Sequence, residues 1–143
     1  MRKSNIIING YTGTWRVVDQ WVYGGIGISL LENEQPGEST GCICVDERKN
    51  IIMENVTGGL NEVVTMLDKN LSIEVNYESN NNCWKVKSLD ANGKLIGEAA
   101  EYHLLSDALK LAHKRKKEGY KAIRVFGRNG ELQMVTESFK KQR

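Results

Sequence analysis

Only one long stretch of this chain, residues 104–120, carries apolar side chains at helical spacing, whereas most of the remainder is cut by turn residues into short β-branched and aromatic runs. Leu105, Ala108, Leu109 and Ala112 recur at three- and four-residue intervals, so one face of a helix here must pack on something, and a sheet is the expected partner. Ser106 is the expected N-cap, and Asp107 in the first turn complements the positive end of the helix dipole. At the other end Lys114, Arg115, Lys116 and Lys117 meet the negative end of the dipole, and Gly119 suits the left-handed position just past a helix. A single long helix among many short strands limits the chain to an α+β arrangement.

The runs place those strands. Residues 14–23 are rich in aromatic and β-branched side chains and end at Gly24-Gly25, which predicts a strand and a tight turn. Residues 26–32 supply the return strand, 34–38 with Pro36-Gly37 a loop, 40–46 a third strand and 51–56 a fourth, giving an antiparallel meander. Asn61 is placed to cap a short helix to about Asp68, whose Leu60, Val63, Val64 and Leu67 form one apolar stripe, and Asn70 to end it. The polar run 76–82 is the best candidate boundary. After it, 83–89 alternates Trp84, Val86 and Ser88 against Lys85, Lys87 and Leu89, Asp90 to Gly93 is a hairpin turn, and 94–102 returns. The basic helix, a strand at 122–126, a second hairpin signal at 127–130 and a strand at 132–136 complete the chain. The expected class is α+β with antiparallel sheets, each half covered by one helix. A β-meander plus helix occupies 1–72 and a β-β-α-β-β unit 73–143, as separate domains or about one shared core.

Charge separates the same halves. Residues 1–72 carry six Lys or Arg against nine Asp or Glu, a net of −3, and 73–143 carry fourteen against nine, a net of +5. The basic run has two readings: a solvated, dipole-compensated helix end, or a surface for phosphates or an acidic protein. The second reading makes Lys110, Lys114, Arg115, Lys116, Lys117, Lys121, Arg124 and Arg128 the partner-binding candidates, provided that the next strand lies alongside the helix.

Other chemistry finds little footing. Gly24, Gly25 and Gly27 lack the dinucleotide spacing and are explained by a hairpin. Cys42, Cys44 and Cys83 with His103 and His113 lack the paired spacing of structural zinc sites, so no metal or other cofactor is expected. No Ser or Cys is placed by motif as a nucleophile for either His, and the chain reads as non-enzymatic. Ile6, Ile7 and Ile8 are too short a run for a secretory signal, and no stretch approaches the roughly 18 apolar residues of a membrane span. A cytoplasmic protein with reduced cysteines and no membrane contact is expected.

Two groups of residues carry a resemblance. The run Tyr11-Thr12-Gly13-Thr14-Trp15-Arg16-Val17-Val18-Asp19, with Leu30-Leu31-Glu32-Asn33-Glu34, Ile43-Cys44-Val45-Asp46-Glu47 and residues 50–56, resembles a small accessory domain of integrative elements and phages of Firmicutes over about residues 10–68. Trp84-Lys85-Val86, Ser106-Asp107-Ala108 and Gly127-Arg128-Asn129-Gly130 are similar to a short β-β-α-β family of unknown function found on bacterial mobile DNA. Neither family brings catalytic residues. The resemblance implies a small non-enzymatic protein carried by mobile DNA, such as an anti-CRISPR protein that binds and inhibits a defence nuclease like Cas9 or its guide-RNA complex. The alternative is a nucleic-acid-binding accessory protein using the basic helix surface. A homodimer through exposed strand edges is a third arrangement. The opposite charge logic, an acidic face occupying a basic channel, would use Glu32, Glu34 and Glu38.

Overall fold

A computed structural model describes residues 6–8, 10–11, 13–33 and 41–137; the loop expected at 34–38 and the basic tail of Lys140, Lys141 and Arg143 lie outside them. The chain is α+β with strands dominating, and it divides into two compact units, Met1–Thr65 and Met66–Arg143.

In the first unit β1 (Trp15–Tyr23), β2 (Ile26–Asn33), β3 (Cys42–Val45) and β4 (Ile51–Val56) form an antiparallel meander in that order. Gly24 and Gly25 both take positive φ, +58° and +84°, the two-residue turn whose twist matches the flanking strands. Asp46 builds the β3–β4 turn, its Oδ1 accepting the N–H groups of Arg48 and Asn50, each at 2.9 Å. Ile8, Trp15, Leu31, Ile43 and Val45 make the buried cluster on one face of this sheet. β1 itself is mostly exposed and carries a bulge at Val18, because Val17 opposes Leu31 while Asp19 opposes the next residue, Leu30.

The first helix, α1 (Gly59–Asp68), starts ahead of the Asn61 cap that the sequence suggested. Its N-terminus is satisfied from within: Glu62 Oε1 accepts the N–H groups of Thr57 at 3.0 Å and Gly58 at 2.8 Å, which a search for short polar caps misses. Leu60, Val63 and Leu67 are buried, and Asn70 at φ +55° ends the helix as expected.

The second unit is a five-stranded sheet of β5 (Ser72–Glu78), β6 (Cys83–Leu89), β7 (Ala100–Tyr102), β8 (Ala122–Phe126) and β9 (Leu132–Glu137), in the order β7-β6-β5-β8-β9. β5 and β8 pair in parallel and every other neighbour is antiparallel. β5 is the strand that the sequence reading passed over, and it is the central one. Ile73, Val75 and Tyr77 alternate with Ser72, Glu74, Asn76 and Glu78, a half-buried pattern hidden by the Asn-rich run that follows. The polar run 76–82 closes β5 and turns into β6.

The return strand expected at 94–102 does not form as one continuous strand. Leu95 bridges back to Leu89 and Ile96 N–H donates to Ser88 O at 2.7 Å, but Gly97 takes φ +70° and strand pairing resumes only at β7. The second helix, α2 (Leu105–Lys116), packs on β5, β6, β7 and β8. It begins before Ser106, with Leu104 as an extended N-cap lacking a side-chain bond, because Leu104 O already accepts the Ala108 N–H at 3.2 Å. Gly119 does take the left-handed conformation, at φ +101°, but it lies two residues past the C-cap Lys117 and not at the adjoining C′ position, its N–H donating to Lys116 O at 3.2 Å. Ile73, Val75, Trp84, Val86, Ile123 and Val125 line the sheet face under α2, and Ala108 and Ala112 let the helix sit close above them.

Candidate functional site

A helix advances 100° per residue, so Ala108 and Ala112, buried beneath α2, fix which of its cations face water. Lys110, Lys114 and Lys117 fall on the opposite side at intervals of four and three residues. Lys110 and Lys114 are exposed, Lys117 is the half-buried C-cap just past the last helical residue, and none of the three has an ion-pair partner among the described residues. With Cβ atoms about 5–6 Å apart, they form a cationic crest.

The rest of the basic run turns the other way. Arg115 and Lys116 lie on the flanks nearer the sheet. Arg115 Nη1 donates to Ser88 Oγ at 2.8 Å, which also explains why a serine is buried on the helix-covered face of β6. Lys116 and Lys121 each have a polar or electrostatic interaction of their own.

Strand periodicity then separates the remaining candidates. β8 does lie under α2, but Ile123 and Val125 point to the helix, so Arg124 points to the open face. There Arg124 stands in register with Glu74 of β5 and Val135 of β9. It lines a cleft of about 480 Å³ with Lys121, Glu74, Asp90 and Glu137, whose three carboxylates outnumber its two cations. That cleft is polar and mixed in charge, unlike the helix crest.

Further along the open face Lys85 Nζ meets Glu78 at 3.2 Å and Glu101 at 3.6 Å. The hydrogen bond from Lys85 holds the Glu78 carboxyl below its usual range, and the same bond raises the lysine.

Arg128 sits apart, at the tip of the β8–β9 hairpin, where its guanidinium carbon lies 4.3 Å from the centre of the Tyr77 ring and 5.9 Å from that of Trp84. Tyr77 meets the Trp84 ring edge-on at 5.1 Å, and its hydroxyl donates to Asn82 Oδ1 at 3.0 Å. Tyr77 is four residues along β5 from Ile73, the register partner of Ser88, so Arg128 lies on the order of 13 Å along the strands from the Arg115 contact. The eight candidates therefore resolve into the helix crest and its flanks, the open-face cleft, and the hairpin tip. The aromatic pair under Arg128 is a feature that sequence reading missed. Its signal was Tyr77 inside an apparently polar run.

The thiols are poor nucleophiles. Burial, with Asp46 adding to it, pushes Cys44 up to about 12; burial and Glu32 raise Cys42; burial and then the Glu101 and Glu78 carboxylates raise Cys83. All three are free. Among the described residues no cluster of three or more His, Cys, Asp or Glu is spaced to hold a metal, and no helix is long and apolar enough to cross a membrane.

Comparison with known proteins gives one family. The model of the Large polyvalent protein-associated domain 18 matches residues 1–79, which takes in the first sheet, α1 and β5 and stops short of every basic candidate. Neither the curated proteins nor the solved structures give a significant match. The match supports a phage or mobile-element accessory domain. Covering more than half of its residues, it shows that the chain belongs to the large polyvalent protein-associated domain 18 family.

Proposed function

We propose that this phage- or mobile-element-associated protein is a non-catalytic binding module that acts in the bacterial cytoplasm and holds a polyanionic partner on the crest of α2. The partner of this reading is a defence nuclease carrying its guide RNA, of the Cas9 type, which the protein inhibits in the manner of an anti-CRISPR protein. The observation that carries the reading is the row of Lys110, Lys114 and Lys117, two exposed cations on one helix face continued by a half-buried third at the C-cap, without an ion-pair partner among the described residues. Unpaired charges in a row supply long-range attraction and fast encounter with an anionic surface.

The test is target cleavage by a guide-RNA-loaded Cas9-type nuclease with increasing amounts of the protein. Cleavage slows in proportion to the wild-type protein added, and the folded triple variant K110E/K114E/K117E loses the effect. Undiminished cleavage at saturating protein would remove the nuclease from the account.

A second reading, direct binding to nucleic acid, is favoured by the Arg128–Tyr77 stack. Guide RNA alone, bound as tightly as the loaded nuclease, would select it.

A further inference from the structure

We propose that Arg128, held over Tyr77 and Trp84, is a stacking subsite for an unpaired base of single-stranded nucleic acid. The proposal rests on the reading that the partner carries nucleic acid, and it adds a base contact to the phosphate contacts of the helix crest.

The chain fixes this arginine before any ligand arrives. The hairpin closes tightly: Gly130 N–H donates to Gly127 O at 2.9 Å, Gly127 N–H donates to Glu131 O at 2.8 Å, and Gly130 takes φ +84°. Gly127 itself is buried under the side chains of Glu131 and Gln133, which fold over the turn from the β9 side. Below the guanidinium, Tyr77 is anchored at both ends, by its hydroxyl bond to Asn82 and by the buried Trp84 against its ring.

The guanidinium carbon is thus held over the Tyr77 ring. Arg128 is exposed, and no carboxylate pairs with it among the described residues. What remains is a planar cation, positioned over an aromatic ring and open to solvent. An arginine plane of this kind is a surface on which splayed bases stack, while its in-plane N–H donors stay available to a phosphate. Lysine cannot reproduce that arrangement, because its ammonium is a point charge without a plane. A double-stranded ligand offers no free base face, so the subsite discriminates single strands.

The experiment measures anisotropy of labelled twelve-nucleotide oligo(U), oligo(dT) and a duplex of equal length on the full chain, for wild type, Arg128→Lys, Arg128→Ala and K110E/K114E/K117E. Arg128→Lys keeps the charge and is expected to weaken single-strand binding roughly tenfold, the size of one lost base stack, while leaving duplex binding and the salt dependence unchanged. Arg128→Ala weakens single strands at least as much and also lowers duplex binding.

Single-strand affinity in Arg128→Lys equal to wild type, or no oligonucleotide binding by the wild type, would overturn the subsite. Thermal unfolding of each variant keeps a folding defect separate. Loss in the helix triple variant with Arg128→Lys unaffected defeats the subsite and leaves the crest. Loss in Arg128→Lys together with unimpaired nuclease cleavage defeats the inhibitor reading and leaves the subsite. The oligo(U) and oligo(dT) arms report whether the base is taken from RNA or DNA.

Discussion

Truncating Ile123 to alanine tests the helix-and-sheet packing that presents the α2 crest. Ile123 is fully buried on the interior strand β8, in register with Ile73 and Thr136, beneath the alanines of α2. The change removes three carbon groups at about 0.8 kcal/mol each, about 2.4 kcal/mol of transfer free energy. Incomplete collapse of the cavity adds about 1–2 kcal/mol, for a total of about 3.4–4.4 kcal/mol, inside the roughly 2–5 kcal/mol span of such truncations. Urea unfolding followed by tryptophan emission and circular dichroism reads it, and at a slope of about 2 kcal/mol per molar the midpoint falls by about 2 M. Leu104→Ala is the control: Leu104 is 61% exposed, and its truncation is expected to cost within about 0.5 kcal/mol. A midpoint shift for Ile123→Ala no larger than the control's would mean that α2 does not cover this sheet as described.

Three further outcomes are expected. Gly119→Ala places a Cβ 3.0 Å from Met66 Cβ at φ +101°, so it destabilises by about 1–3 kcal/mol in a thermal melt, whereas a neutral result would show that the α2–β8 connection relaxes freely. Iodoacetamide at pH 8 is expected to label the half-exposed Cys42 slowly and Cys44 and Cys83 only after unfolding, with mass spectrometry as the readout; rapid native labelling of Cys44 would contradict its raised pKa. In the Gly24-Gly25 hairpin the closing Tyr23–Ile26 pair turns the Gln20 N–H away from β2, and Asp19 Oδ1 accepts it at 2.9 Å, beside exposed Trp21 and Val22. Asp19→Ala therefore raises self-association in light scattering, and an unchanged mass at high concentration would show that the carboxylate does not guard this edge.

The elements most legible in the sequence were those whose signal is local. Gly24-Gly25, the alternation in 83–89 and the stripe through Ala108 and Ala112 each state their structure within a few residues. β5 was lost because its polar face and the Asn-rich turn after it read as one hydrophilic stretch, although Ile73, Val75 and Tyr77 alternate plainly in hindsight. The same omission hid the candidate subsite, since Tyr77 is on that strand and Arg128 is fifty-one residues further on. The basic residues were legible as a composition but not as a surface. Helical period alone separates Lys110, Lys114 and Lys117 from Arg115 and Lys116, while the face taken by Arg124 depends on a strand register that no local pattern specifies.

Reversing Arg115 along with its neighbours would mix two effects, because Arg115 also holds buried Ser88. The crest variant K110E/K114E/K117E avoids that contact. The most direct measurement is therefore its affinity for a guide-RNA-loaded Cas9-type nuclease, beside wild type, across a range of salt concentrations. A loss of at least a hundredfold is expected at low salt, with a log–log salt slope shallower by about 2–3, since each phosphate contact contributes roughly 0.7–0.9. Equal affinity and equal slope in a folded variant would contradict it.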